Sequence, residues 1–201
     1  TQLLGLVKDG QLVKEANSGD TVYVVLAKTP FYAESGGQAA DKGVIQGATG
    51  NLQVNDVHKL PNGFIYHKCS VEGSINVGES VDAVVDMANR KATARNHSAT
   101  HLLHKALRGH LGTHVQQAGS MVDGQRLRFD FNHFAPLQPE ELAAIEKEVN
   151  DAILADYPVV TEELPIEEAK KQGAMALFGE KYGNVVRMVS MGDYSRELCG
   201  G

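Results

Sequence analysis

The sequence predicts an α+β chain of two unlike parts, an N-terminal small β-barrel followed by an α/β domain whose helices lie on a mainly antiparallel sheet. Three observations carry this. Residues 1 to 86 fall into short β-rich runs separated by turn pairs, with no helical period. From Asp86 to Leu111 the apolar residues switch to helical spacing, with Gly112 as a stop. After Gly112, strand-like and helix-like segments alternate. The boundary is expected near Asp86, giving domains 1–86 and 87–201.

The first part reads as strands at Leu3 to Val7, Thr21 to Ala27, Gly43 to Gln46, Leu52 to His58, Phe64 to Lys68 and Ser80 to Asp86, with Asp9-Gly10 and Asn62-Gly63 among the turns. Asp86 is placed to cap the following helix. On that helix His97 and His101 stand one turn apart, and His104 falls on the same side. Ala99, Leu102, Leu103, Ala106 and Leu107 gather opposite them, so leucines can bury the helix while histidines face a separate space. Thr113 to Val122, the turn pair Asp123-Gly124 and Arg126 to Asn132 read as a hairpin. Pro139 opens a helix with Leu142, Ile145, Val149 and Ile153 as its stripe, ending before Pro158. Val159 to Leu164 is a strand, Pro165 to Gln172 a short helix and Val185 to Met191 another strand.

Composition narrows the function classes. No apolar run approaches the ~20 residues of a membrane span. The chain starts at Thr1 without a signal-like segment, which reads as a piece of a longer protein. Two cysteines, Cys69 and Cys199, make no disulfide framework, and a reducing cytoplasm is the simpler home. A net charge of −6 argues against nucleic-acid binding by bulk electrostatics. Locally the sign reverses: Arg90, Lys91, Arg95, Lys105 and Arg108 share the long helix with Asp86 alone at its start. These cations suit a phosphate or an ordinary solvated face.

Four local patterns bear chemistry. His97 and His101 at helical spacing suit a metal or a polar surface, and Ser98 stands where a zinc protease helix carries its glutamate, which argues against a protease. Cys199 adds a thiol, so three ligands of a tetrahedral zinc site are visible. Taken singly, a cysteine is more often a small buried residue. Gln117 and Ser120 are three apart on the first hairpin arm, and reach one pocket only if Gly119 marks a bulge or kink. Ser35-Gly36-Gly37-Gln38 is a glycine loop that makes either a turn or a close approach to a ligand.

Taken together, Asn96 to Leu103, Phe31 to Gln38, Gly173 to Tyr182 and Ser195 to Gly201 resemble the editing domain of alanyl-tRNA synthetase. Freestanding alanyl-tRNA editing proteins and the editing domain of threonyl-tRNA synthetase share the histidine pair. The Glu-Leu-Cys-Gly-Gly ending joined to the Ser-Gly-Gly-Gln loop is similar to the alanyl enzyme.

The resemblance implies hydrolysis of seryl and glycyl esters wrongly attached to tRNA for alanine, with the tRNA acceptor end as partner. It implies one Zn2+ held by His97, His101 and Cys199. The family's fourth ligand, a histidine, would fall two residues past Gly201, so weak zinc binding is expected of these 201 residues. His104 is an in-sequence substitute but is expected to support the ligands from outside. Thr100 matches the family position that reads the amino-acid side chain, and Gln117 and Ser120 match the other pocket positions. These three are the expected catalytic residues. No carboxylate beside the histidine motif offers itself as a base.

The energetic need for such a site is general. An alanine pocket gains only about 1–3 kcal/mol against a near-isostere such as serine, and glycine is smaller still. Alternatives from other classes are a freestanding trans-editing deacylase, a non-catalytic zinc-supported module binding the acceptor end, and, because release factors use Gly-Gly-Gln, peptidyl-tRNA hydrolysis through Gly36-Gly37-Gln38.

Overall fold

A computed structural model describes residues 1–175 and 183–201, so the later part of the Gly173 to Tyr182 motif, residues 176–182, lies outside the described residues. Residues group into two units, Thr1–Thr93 and Ala94–Gly201. The described residues are mixed α and β, with antiparallel sheets and three helices.

The first unit contains β1 (Leu3–Lys8), β2 (Gln11–Val13), β3 (Glu15–Asn17), β4 (Thr21–Leu26), β5 (Gly43–Gln46), β6 (Gly50–Lys59), β7 (Ile65–Asn76) and β8 (Asp82–Val85). Their pairing runs β2-β1-β4-β7-β6-β5-β8, with β3 also on β7, and every pair is antiparallel. Alternation builds the core: Val22, Val24 and Leu26 of β4 face inward, as do His67, Cys69 and Val71 of β7. On β6 the buried residues are Leu52, Val54 and Val57. The break in period falls at a bulge between Val54 and Asp56, where the extra Asn55 lets Val57 return to the inner face.

The strand path ends at β2 on one side and β8 on the other. Backbone bonds nevertheless link residues 1–3 to the segment before β8, Leu3 N–H to Glu79 O at 3.1 Å and Val81 N–H to Thr1 O at 2.8 Å, beside a Gln2–Ser80 bridge. The Ser35-Gly36-Gly37-Gln38 loop is a tight turn. Ser35 and Gln38 exchange backbone bonds, and Gly36 and Gly37 have φ of 58° and 82°, which explains the glycine pair without a ligand.

Helix α1 (Met87–Leu111) starts in the first unit and continues in the second. The Asn89 N–H donates to Asp86 Oδ1 at 3.0 Å, the cap expected from sequence. The second unit adds β9 (Gln117–Val122), β10 (Leu127–Phe131), α2 (Pro139–Leu154), β11 (Val159–Pro165), α3 (Ile166–Lys171), β12 (Val185–Met191) and β13 (Ser195–Leu198). β9 and β10 form the hairpin, and β11-β12-β13 form an antiparallel sheet. Leu102 packs with Ala152, Val189 and Met191, while Ala106 and Leu107 pack with Val115 and Ile145.

The stripe expected on α2 is corrected at both ends. Leu142 and Ile153 are half exposed, and the inward side is Ile145, Val149 and Ala152. Those three keep the i, i+4, i+7 spacing, whereas the short residue Ala152 was outside the pattern sought among large aliphatics. No helix among the described residues is long and apolar enough to cross a membrane.

Candidate metal centre

α1 and the segment that follows β13 bring His97, His101 and Cys199 together, with ligand atoms all within 4.8 Å of one another. Helical spacing puts the two imidazoles on one face, where they stack with centroids 5.1 Å apart at 15°. Strand pairing supplies the thiol. β13 is held by β12 with Val189 opposite Glu197 and Met188 opposite Leu198. The Cys199 N–H then donates to Arg187 O at 3.0 Å, and the Arg187 guanidinium donates to Cys199 O at 2.9 Å. This fixes the backbone so that Cys199 Sγ lies 3.1 Å from His97 Nε2.

Electrostatics make the thiol a thiolate. Burial pushes Cys199 up, but hydrogen bonds from His101 and His97 outweigh it and bring its pKa down to about 5. Burial alone would push His101 down, yet Cys199 and Glu197 raise it to about 10. Glu197 is buried, which opposes ionisation, and His101 and His104 still hold its pKa at about 2. Two anions, the Cys199 thiolate and the Glu197 carboxylate, flank the His101 imidazolium, and a metal cation would take the place of its proton. Tetrahedral zinc with sulfur and nitrogen ligands separates its donors by roughly 3.3–3.8 Å, and here all three lie within 4.8 Å of one another. The donor chemistry therefore fits Zn2+, with one thiolate and two imidazoles.

Glu197 is the residue of this cluster that the sequence reading did not single out. Its Oε2 accepts from His101 Nδ1 at 2.7 Å, and its Oε1 lies 3.2 Å from His104 Nδ1. No carboxylate stands beside the histidine motif in sequence as a base; Glu197 reaches the histidines because strand pairing returns a distant segment to α1, and both its oxygens face imidazoles. The signal was present: Glu197 and Cys199 are two apart, and in extended chain such residues share a face. His104 turns to Glu197 and stands outside the group formed by His97, His101 and Cys199.

The hairpin residues also meet. In β9–β10 the register shifts where Asp130 pairs Gly119 and Phe131 pairs Gln117, so Ala118 is the extra residue of a bulge. Gln117 Nε2 then donates to Ser120 Oγ at 3.3 Å, which a regular strand would forbid. Thr100 is 6% exposed on α1, and its hydroxyl donates to Asn96 O at 2.9 Å. The Asn96 amide in turn donates to Asp123 O in the hairpin turn at 2.8 Å, so one bonded chain ties Thr100's helical turn to the hairpin.

Comparison with known proteins supplies an independent line. Residues 1–89 match the family described as tRNA synthetases class II (A). Over 202 aligned residues covering the whole chain, 54% are identical to the alanine–tRNA ligase of Listeria welshimeri, and over 201 residues the identity to that of Bacillus velezensis is also 54%. The alanine–tRNA ligase of Acetivibrio thermocellus is 52% identical over the same extent. The chain spans 23% of the length of each of these relatives. From its first strand to the cysteine beside the histidine pair, the chain is related to a segment of the alanine–tRNA ligases of class II.

Proposed function

We propose that the chain is the editing segment of an alanine–tRNA ligase, its residues 1–86 a β-barrel and 87–201 a deacylase that hydrolyses seryl and glycyl esters on tRNA for alanine. The observation that carries this reading is the convergence of His97, His101 and Cys199 in one unit with the bulged Gln117–Ser120 pair. The bonds linking residues 1–3 to 78–81 support the barrel, as its closing seam.

The chain's own groups divide the work. Thr100 gives its proton to Asn96 O, so the lone pairs of its oxygen remain to accept the hydroxyl of a seryl side chain. An alanyl group lacks that hydroxyl and leaves the buried oxygen unpaired, which disfavours the correct ester. Ser120 accepts from Gln117, so its own O–H points elsewhere and is free to orient the ester or the attacking water. A zinc ion held by His97, His101 and Cys199 would supply positive charge for positioning the tRNA terminus.

Thr100→Val tests the reading, because it keeps the side chain's shape and removes the hydroxyl. Deacylation rates of seryl-tRNA and alanyl-tRNA should shift relative to one another by about 1–3 kcal/mol in transition-state terms, roughly 5- to 150-fold, against serine. An unchanged ratio would remove Thr100 from selectivity. Failure of the zinc-loaded chain, extended past Gly201 through the expected fourth ligand, to hydrolyse seryl-tRNA at all, or hydrolysis of peptidyl-tRNA instead, would overturn the function.

A further inference from the structure

Glu197 is buried at 5% exposure on β13, with one oxygen on His101 and the other facing His104. A buried carboxylate is a poor choice for packing, since an apolar side chain would avoid the cost of removing a charge from water. Its strand is held from two sides. β12 pairs it at Val189, and Met175 bridges to Glu197 with the bonds Met175 N–H to Arg196 O and Leu198 N–H to Met175 O, at 2.9 and 3.0 Å. The carboxylate is thus carried by a part of the backbone with little freedom, two residues from the thiol.

An imidazole with two nitrogens must be told which one to present. When Nδ1–H donates to a carboxylate, Nε2 is left with its lone pair, and the ring is held in plane. His101 Nδ1 meets that carboxylate at 2.7 Å, so the proton a metal would displace is the one on Nε2. Its ring lies nearly parallel to that of His97, an arrangement that stacking alone does not lock about the Cβ–Cγ bond. His104 closes the other side: it is 3% exposed, its ring sits 5.2 Å from that of Phe129, and neither of its nitrogens has an aligned hydrogen bond among the described residues. Glu197 Oε1 is likewise without an aligned partner among them, although His104 Nδ1 is within 3.2 Å. Two polar groups are therefore buried facing each other.

We propose that Glu197 is the positioning residue of the metal centre: it fixes His101 so that Nε2 turns to the site of Cys199 and His97, and His104 holds the carboxylate's second oxygen in place. This rests on the reading of His97, His101 and Cys199 as metal ligands. It assigns Glu197 a role through His101, with no contact to substrate.

Cobalt(II) and zinc are the probes. The parent chain should take up Co(II) with a thiolate-to-metal absorption band that Cys199→Ser removes. In Glu197→Gln the band should persist, the visible d–d envelope should change, and zinc affinity measured by chelator competition should fall 10- to 100-fold. A purely structural role would lower the unfolding midpoint of the metal-free protein and leave cobalt spectrum and zinc affinity alone. Zinc affinity of a folded Glu197→Gln within twofold of the parent, with an identical cobalt spectrum, would overturn the proposal while leaving the metal reading intact. A parent chain that shows no thiolate band even with Co(II) in large excess would overturn both. If Glu197→Gln does not fold, His104→Phe decides: a severalfold loss of zinc affinity in the folded variant supports the proposal, and none refutes it.

Discussion

Each unit sets a buried histidine beside a cysteine, fully buried in the first and partly buried in the second, and the two pairs behave in opposite ways. In the first unit His67 and Cys69 lie on β7, both fully buried. His67 bonds to Val24 O at 3.0 Å and to Thr29 Oγ1 at 2.8 Å, and burial lowers its pKa. Cys69 has only burial to feel, and is pushed up to about 12. In the second unit burial again pushes the histidine down and the cysteine up, but the bond between His101 and Cys199, with Glu197 acting on His101 and His97 on Cys199, reverses both shifts. Desolvation without an opposite charge yields neutral packing groups, whereas desolvation with one yields an ion pair. Residue type and depth alone do not distinguish a site from a core.

Thiol chemistry should show the largest difference. In metal-free protein at pH 7, pKa values of about 5 for Cys199 and about 12 for Cys69 make the first mostly thiolate and the second essentially all thiol, so iodoacetamide should label Cys199 at least about a thousandfold faster. Cys199 labelling should rise with pH through about 5 and then level, in keeping with its lowered pKa. Mass spectrometry of digested peptides reads both sites in one sample. Comparable labelling of the two would erase the contrast.

Next in size is a cavity in the first unit. Leu52 is fully buried on β6 within the cluster that includes Leu6, Ile45 and Val54. Leu52→Ala should cost roughly 2–5 kcal/mol, read as faster hydrogen exchange at β6 and β7 amides. An effect well under 1 kcal/mol would mean that this core repacks, and that its neutral His67 and Cys69 are less tightly enclosed than the structure indicates.

How much of this was legible in the sequence depends on the range of the interaction. The long helix was readable from Asp86, the apolar spacing and Gly112, because caps and periods are local; Gly112 N–H indeed bonds Arg108 O at 3.1 Å. The Gln117–Ser120 meeting was readable as a condition, a bulge, although the inserted residue is Ala118. β2 and β3 were not foreseen, since three-residue strands are too short to show alternation and are made by their partners on β1 and β7. Glu197 stood in plain view as part of a motif. Its partners His101 and His104 lie on α1, and only the β12–β13 pairing shows that the segments meet.

The smallest effect, and the sharpest comparison, is the dependence of stability on pH. His67 has an ordinary value of 6.5 when unfolded and a lower one when folded. Below 6.5 the unfolded chain therefore binds a proton that the folded first unit refuses, and stability falls as pH falls, at most about 1.4 kcal/mol per unit. In the metal-free second unit the signs oppose one another. His101, raised from 6.5 to about 10, favours folding fully below 6.5 and loses that contribution as pH rises to about 10. Cys199, lowered from 9.0 to about 5, contributes stability above 9.0 and loses it as pH falls to about 5. Between about 6.5 and 9 the folded pair holds one proton on His101 and the unfolded pair holds one on the thiol, so their slopes cancel. Hydrogen exchange, corrected for its intrinsic pH dependence, should show β12 amides flat across that window. His67→Phe keeps the ring against Phe31 and removes the titration, so β7 amides should lose their decline below 6.5 relative to the parent. A β7 slope that survives in His67→Phe would assign the acid sensitivity to another group and leave His67 as packing alone.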